Sequence, residues 1–172
     1  MAHFGERYRQ PVLEFVKRRG FRDAEADDIC QDVFVRVLAG GVLAKADRNR
    51  GRFRSLLLSV TKHTILDRLR KRKEIPSDLL EPAQQEPEFD QGWAWHLTTR
   101  AMEQLNEEGS PYYDVLRRHL SGDRQDRNKL WIARKKLGAL IRREVAFTCA
   151  TREDFEEEMA YLAKYLRPPE NS

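Results

Sequence analysis

The chain has 172 residues, 35% of them charged, and a net charge of +4. That length suits one ordinary domain or two small ones, the latter marginal because small domains bury less of their surface. Two cysteines, no apolar run near the ~20 residues that span a bilayer, and a start without the apolar core of a signal peptide argue against a disulfide scaffold, a membrane role and secretion. The chain is therefore expected in the cytoplasm.

Charge is unevenly distributed. Residues 1–75 carry 18 basic and 10 acidic side chains, and residues 76–110 carry 1 and 8. Residues 111–147 carry 10 and 4, and residues 148–172 carry 3 and 6. Two basic blocks around an acidic, proline-bearing segment suggest two polyanion-facing modules on a linker, against the plainer reading of ordinary solvated charge.

In chain order, residues 6–19 predict a first helix with Tyr8, Val12, Phe15 and Val16 as its apolar stripe, Pro11 near its start and Gly20 at its end. Residues 23–38 predict a second, with Asp23 as N-cap and acids in its first turn. Ala26, Ile29, Cys30, Val33 and Val37 fall on one face and Asp28, Gln31, Asp32 and Val35 on the other. The outer face is either merely solvated or on offer to a partner. After Gly40-Gly41 a charged loop leads to a third helix, from Phe53 to about Lys73. Phe53, Leu57, Val60 and Thr64 form one apolar stripe of it, and Leu58, Ile65 and Leu69 a second, so it should be central to its bundle. Its basic end, Arg68 to Lys73, suits a helix C-terminus whatever the function.

Ile75 to Asp90, with Pro76, Pro82 and Pro87 among acids and glutamines, reads as extended linker. Trp93 and Trp95 open a helix through Leu105, with indoles expected to dock on the domain that follows. Ser110-Pro111 starts a helix that stops near Gly122. A long helix follows from Asp126 to about Phe147, with Leu130, Ala133, Leu137, Ile141 and Val145 on one face and Lys135, Lys136, Arg142 and Arg143 on the other. A last helix begins at Thr151, with Asp154 completing an approximate capping box, and ends before Pro168-Pro169. The expected architecture is all-α: two small helical modules, residues 1–74 and 93–172, joined by an acidic linker over 75–92.

Catalysis finds little support. His3, His63, His96 and His119 are scattered without metal-site pairing, and no serine or cysteine sits in a nucleophile motif, so neither an enzyme nor a cofactor is expected.

Three motifs carry a resemblance to a known family. Ala26-Asp27-Asp28-Ile29-Cys30-Gln31-Asp32-Val33-Phe34 is similar to the region 2 signature of bacterial RNA polymerase sigma factors of the extracytoplasmic-function (ECF) group. Arg50-Gly51-Arg52-Phe53-Arg54-Ser55-Leu56-Leu57 and Ile65-Leu66-Asp67-Arg68-Leu69-Arg70-Lys71-Arg72 resemble the next two segments of that region, in the same order. Leu56 and His63 stand where the family usually has Trp and Asn, so fine promoter-base preference does not carry over.

The resemblance covers residues 6–74 and implies a three-helix bundle that binds core RNA polymerase and opens promoter DNA. Asp28, Gln31, Asp32 and Val35 would face the polymerase, with Phe34 either an apolar anchor beside them or packed inside. Arg50, Arg52, Arg54, Lys62, His63 and Arg70 would contact opened promoter DNA, whose unpaired bases and phosphates need a cationic track. Arg68, Lys71 and Arg72 would steer. Residues 112–122 and 128–137 resemble parts of region 4, and the tail resembles an extension of planctomycete members. Only five residues separate Gly122 from Asn128, so the helix-turn-helix looks shortened, and Arg134, Lys135 and Arg142 are candidates for duplex contacts. The implied function is a sigma factor, with an anti-sigma factor or regulator as a further partner. The rivals are a sigma-like interaction module without full promoter recognition and, more distantly, a nuclease.

Overall fold

A computed structural model describes residues 2–39, 53–73 and 86–166. These form seven helices: α1 Ala2–Arg18, α2 Asp23–Ala39, α3 Phe53–Arg72, α4 Pro87–Glu107, α5 Pro111–Leu120, α6 Arg127–Ala146 and α7 Arg152–Leu166. The chain is all-α, as its periodicity predicts. It divides into two compact units, Met1–Trp93 and Ala94–Ser172, with the boundary inside α4.

In the first unit α1, α2 and α3 pack on one another. Tyr8, Val12, Phe15 and Val16 from α1 meet Ala26, Ile29, Cys30, Val33 and Val37 from α2 in the core. The third helix adds Phe53, Leu57, Leu58, Ile65 and Leu69, so both of its apolar stripes are used. Two helix starts differ from expectation. The first helix begins earlier, which puts Pro11 in its interior, where the ring has no N–H for the ladder. Asp23 is the first residue of α2 rather than its cap, and its carboxylate instead meets Lys17 Nζ at 2.8 Å.

The larger difference is the start of α4. Residues 87–92, read from sequence as linker, are helical, and Phe89 and Trp93 are buried in the first unit. The Trp93 ring stacks on Tyr8 at 5.4 Å and lies 6.1 Å from Phe53, and Phe89 meets Phe15 edge-on at 5.5 Å. Trp93 thus docks on the unit that precedes it, not on the one that follows. The cause is a ring-lined recess between α1 and α3 that local periodicity does not reveal, and aromatic pairs add about 0.5–1.5 kcal/mol each beyond area burial. Trp95, two residues on, points to solvent at 69% exposure.

In the second unit Leu105, Leu116 and Ala133 centre a core that Tyr112, Tyr113, Leu130, Leu137 and Leu140 extend. Gly109 and Gly122 close α4 and α5 with positive φ of 62° and 89°. In each case the next residue reaches back five positions, Ser110 N–H to Leu105 O and Asp123 N–H to Arg118 O, both at 2.9 Å, a geometry that favours glycine. Ser110 caps α5 and Asp126 caps α6 through Lys129 N–H at 2.9 Å. Thr151 and Asp154 exchange backbone-to-side-chain bonds at 3.1 Å, the predicted reciprocal cap of α7.

Candidate functional site

The outer face of α2 separates into two kinds of side chain. Asp28 and Gln31 are exposed and have no ion-pair or hydrogen-bond partner among the described residues. Asp32 is exposed too, but its carboxylate accepts from Arg68 of α3 at 3.1 Å. It belongs to a row of α2–α3 pairs with Arg36–Asp67 at 2.8 Å and Glu25–Arg72. Surface pairs of this kind are worth about 0.2–1 kcal/mol. They nevertheless occupy the carboxylate and explain where two of the steering arginines, Arg68 and Arg72, point.

Next to Asp28 and Gln31 an open groove of about 310 Å³ is lined by Gly5, Arg9, Asp27, Phe34, Val35 and Leu38 as well. Of the two readings of Phe34, the structure favours an internal one that still reaches the groove, because its ring is 8% exposed. Val35 is 56% exposed and Leu38 37%. Leu38 escaped the sequence reading although it stands three residues after Val35 and seven after Gln31, the spacing of one helical stripe. Arg9 pairs with Asp27 across α1 and α2 at 2.7 Å, so the α1 side of the groove is charge-balanced. The result is a surface with two uncommitted polar groups beside a small apolar patch, suited to a partner carrying cations and an apolar side chain.

The described residues among those expected along opened DNA divide into buried and exposed ones. Arg50 and Arg52 lie outside the described residues. Arg54 is buried at 2% exposure in an ion pair with Asp90 of α4, itself fully enclosed. Lys62 is buried with Nζ on Glu86 Oε1 at 2.6 Å. In this conformation both Arg54 and Lys62, expected along opened DNA, turn their charges inward onto acids. The reason is the start of α4, whose acids reach cations 36 and 24 residues earlier in the chain. His63 and Arg70 are exposed: the His63 ring meets Ser59 O through Nδ1 at 2.7 Å, and Arg70 stands 3.8 Å from Asp67.

On α6, Arg134, Lys135 and Arg142 are exposed, and each rests on a neighbour. The Arg134 guanidinium donates to His119 Nε2 at 3.0 Å. Lys135 lies over the Trp131 ring at 5.2 Å, and Arg142 over Phe155 of α7 at 5.0 Å. The connection between α5 and α6, residues 121–126, contains no helix. Glu144, the one acid near the end of α6, is buried against Arg100 at 3.2 Å and ties α6 to α4 inside the second unit.

Residues 5–75 match the sigma-70 region 2 family. The match covers less than half of the chain and falls wholly on the first unit. No curated protein and no solved structure matches the chain. The α2 groove, the α2–α3 ion pairs and the His63–Arg70 surface all lie within the region 2 match. No helix among the described residues is long and apolar enough to cross a membrane, and no described cluster of His, Cys, Asp or Glu could hold a metal ion.

Proposed function

We propose that the chain is a sigma factor of the ECF group, which binds core RNA polymerase through α2 and directs promoter recognition and opening in the cytoplasm. The observation that carries this reading is the outward stripe of α2 inside the region 2 match: Asp28 and Gln31 without partners, flanked by exposed Val35 and Leu38. A cationic partner surface gains charge-assisted bonds there without breaking an internal pair, and the apolar patch loses water on docking. Opened promoter DNA would lie along Arg50, Arg52, His63 and Arg70. The second unit, with its tail helix, would be a reduced region 4 with an extension like that of planctomycete members. It would grip duplex phosphates through Arg134, Lys135 and Arg142, and an anti-sigma factor would compete for the α2 groove.

Run-off transcription with core polymerase over a pool of promoter fragments tests the reading, with transcripts starting at discrete sites as the expected result. Replacing Arg50 and Arg52 by Gln should weaken open-complex formation on a fully matched promoter more than on one with an artificial bubble. Equal losses on both would mean general phosphate attraction rather than a role in opening.

The inward turn of Arg54 and Lys62 favours a second reading, a sigma-like module that binds polymerase or a regulator without full promoter recognition. Polymerase binding without any discrete transcript would decide for it.

A further inference from the structure

One side of α6 carries an aromatic ring that the packing of the second unit leaves out. The apolar face of the helix, Leu130, Ala133, Leu137 and Leu140, turns into the core with Leu105 and Leu116. Trp131 falls between those positions and is 61% exposed. Its ring contact among the described residues is with a cation of its own helix, Lys135, whose Nζ lies over the indole at 5.2 Å. Trp93 shows how this chain places an indole that belongs to a core, since it is enclosed among Tyr8, Phe53 and Phe89.

The surroundings of Trp131 are cationic. Arg127 stands one helical turn before it, and Arg134 and Lys135 one turn after it, which gathers all three about the ring on one side of α6. All three are exposed, and residues 127–135 contain no acid. The Arg134 guanidinium is held beside the ring by its bond to His119 Nε2 at 3.0 Å. A single exposed apolar side chain is ordinary on a protein surface. An indole flanked by cations is a different arrangement: a flat π-face suited to a base, with positive charge on either side for the phosphates next to it. A protein partner would need a wider apolar patch, whereas here the neighbouring Ile132 is half-buried and the positions around the ring are charged.

We infer that Trp131 is a stacking platform for an unpaired base of single-stranded nucleic acid, with Arg127, Arg134 and Lys135 on the adjoining phosphates. On binding, the flexible Lys135 stem swings from the ring to a phosphate and the base takes the indole face. A weak, exposed cation–π contact is thereby exchanged for a charge-assisted bond and a base stack. Paired bases already stack on one another, so a duplex meets the cations but not the indole. The site goes beyond the duplex phosphate grip proposed for α6, which needs the cations alone, and either can hold without the other.

The test uses the full chain in anisotropy titrations with fluorescent oligothymidine, an abasic strand of the same length and a duplex of the same length. Trp131→Ala should weaken oligothymidine binding by roughly five- to a hundredfold, the range of one lost base–aromatic stack. Its binding of the abasic strand and of the duplex should match the parent. Trp131→Phe keeps a π-face and should retain most of the affinity for oligothymidine. Trp131→Leu keeps apolar bulk without one and should bind as weakly as Trp131→Ala. Trp95→Ala removes an equally exposed indole from α4 and should bind like the parent. Oligouridine should show the same dependence on Trp131, because a ring stacked on the base does not read the sugar; dependence with one strand alone would assign the site to RNA or to DNA.

Unchanged oligothymidine binding by Trp131→Ala would overturn the site. Equal losses on the abasic strand would overturn it in favour of phosphate attraction alone, and equal binding by the Phe and Leu variants in favour of a general apolar contact. If Trp131→Ala melts early, the comparison of Phe with Leu decides, since both fill the position: tighter binding by Phe supports the stack and equal binding ends it. Failure of the duplex grip would appear separately, as a parent chain that binds oligothymidine but no duplex.

Discussion

Cys30 shows how burial sets the chemistry of a single residue. Its side chain is enclosed in the α1–α2 core with Sγ 3.7 Å from Arg9 O, and burial pushes the thiol up to about 11. The thiolate is the reactive form, so alkylation at pH 8 should modify Cys30 only as the first unit unfolds, which mass spectrometry of iodoacetamide-treated protein across a urea series would show. Labelling of Cys30 in the native protein would mean that the α1–α2 seam opens readily. Lys17 and Asp23 illustrate the opposite extreme. Their hydrogen-bonded pair raises the lysine and lowers the aspartate, so its contribution is present between about pH 4 and 10 and is lost as Asp23 protonates below or Lys17 deprotonates above. Both side chains lie at the surface, and salt should remove what the pair contributes. Cys30 on a buried face is legible from periodicity alone, whereas the Lys17 partner of Asp23 is not, because it depends on how the Gly20 turn brings α1 against α2.

At the scale of elements, the start of α4 is where sequence reading and structure part most widely. Three prolines among acids describe an extended segment well, and nothing in a local window tells that Phe89, Asp90 and Trp93 fit the gap between α1 and α3. The same long-range choice turns Arg54 and Lys62 inward although their motif, read alone, suits phosphate contact. Two substitutions weigh these contacts. Asp90→Ala removes a buried carboxylate from the Arg54 guanidinium and should destabilise the first unit by about 3–5 kcal/mol, while replacing Arg54 and Asp90 together by Met and Leu should cost less. Trp93→Ala should cost about 3–5 kcal/mol through the cavity it leaves. Urea denaturation followed by circular dichroism measures both, and a loss under 1 kcal/mol for Asp90→Ala would mean that the pair is open to water in solution.

On α6 the apolar face and the approximate bounds are legible because they follow helical period. The partners of Arg134, Lys135 and Arg142 are not, since His119 lies across a turn and Phe155 on the next helix. If α6 grips phosphates, Arg134→Ala or Lys135→Ala should weaken all duplexes alike and lower the salt slope by about one unit per contact. A loss confined to duplexes with a preferred upstream element would show instead that α6 reads bases.

For the whole molecule, the alternation of basic and acidic blocks along the chain proves less informative than the way charges pair in space. The acidic block supplies Glu86 and Asp90 to the first unit, and α2 and α3 exchange three pairs, so much of the formal charge of residues 1–75 is neutralised internally. What remains on offer from α2 is small: Asp28, Gln31 and the Val35–Leu38 patch. The central claim is that this stripe binds core RNA polymerase, and the most direct measurement is affinity for core polymerase of the double variant Asp28→Arg with Gln31→Ala, beside Asp32→Ala and the parent. The double variant should lose at least about two orders of magnitude in affinity, as reversal of a docking charge at an interface centre does, with far-UV circular dichroism unchanged. Asp32→Ala, already committed to Arg68, should lose under about tenfold. Full binding by the double variant would contradict the account and return the α2 stripe to an ordinary solvated face.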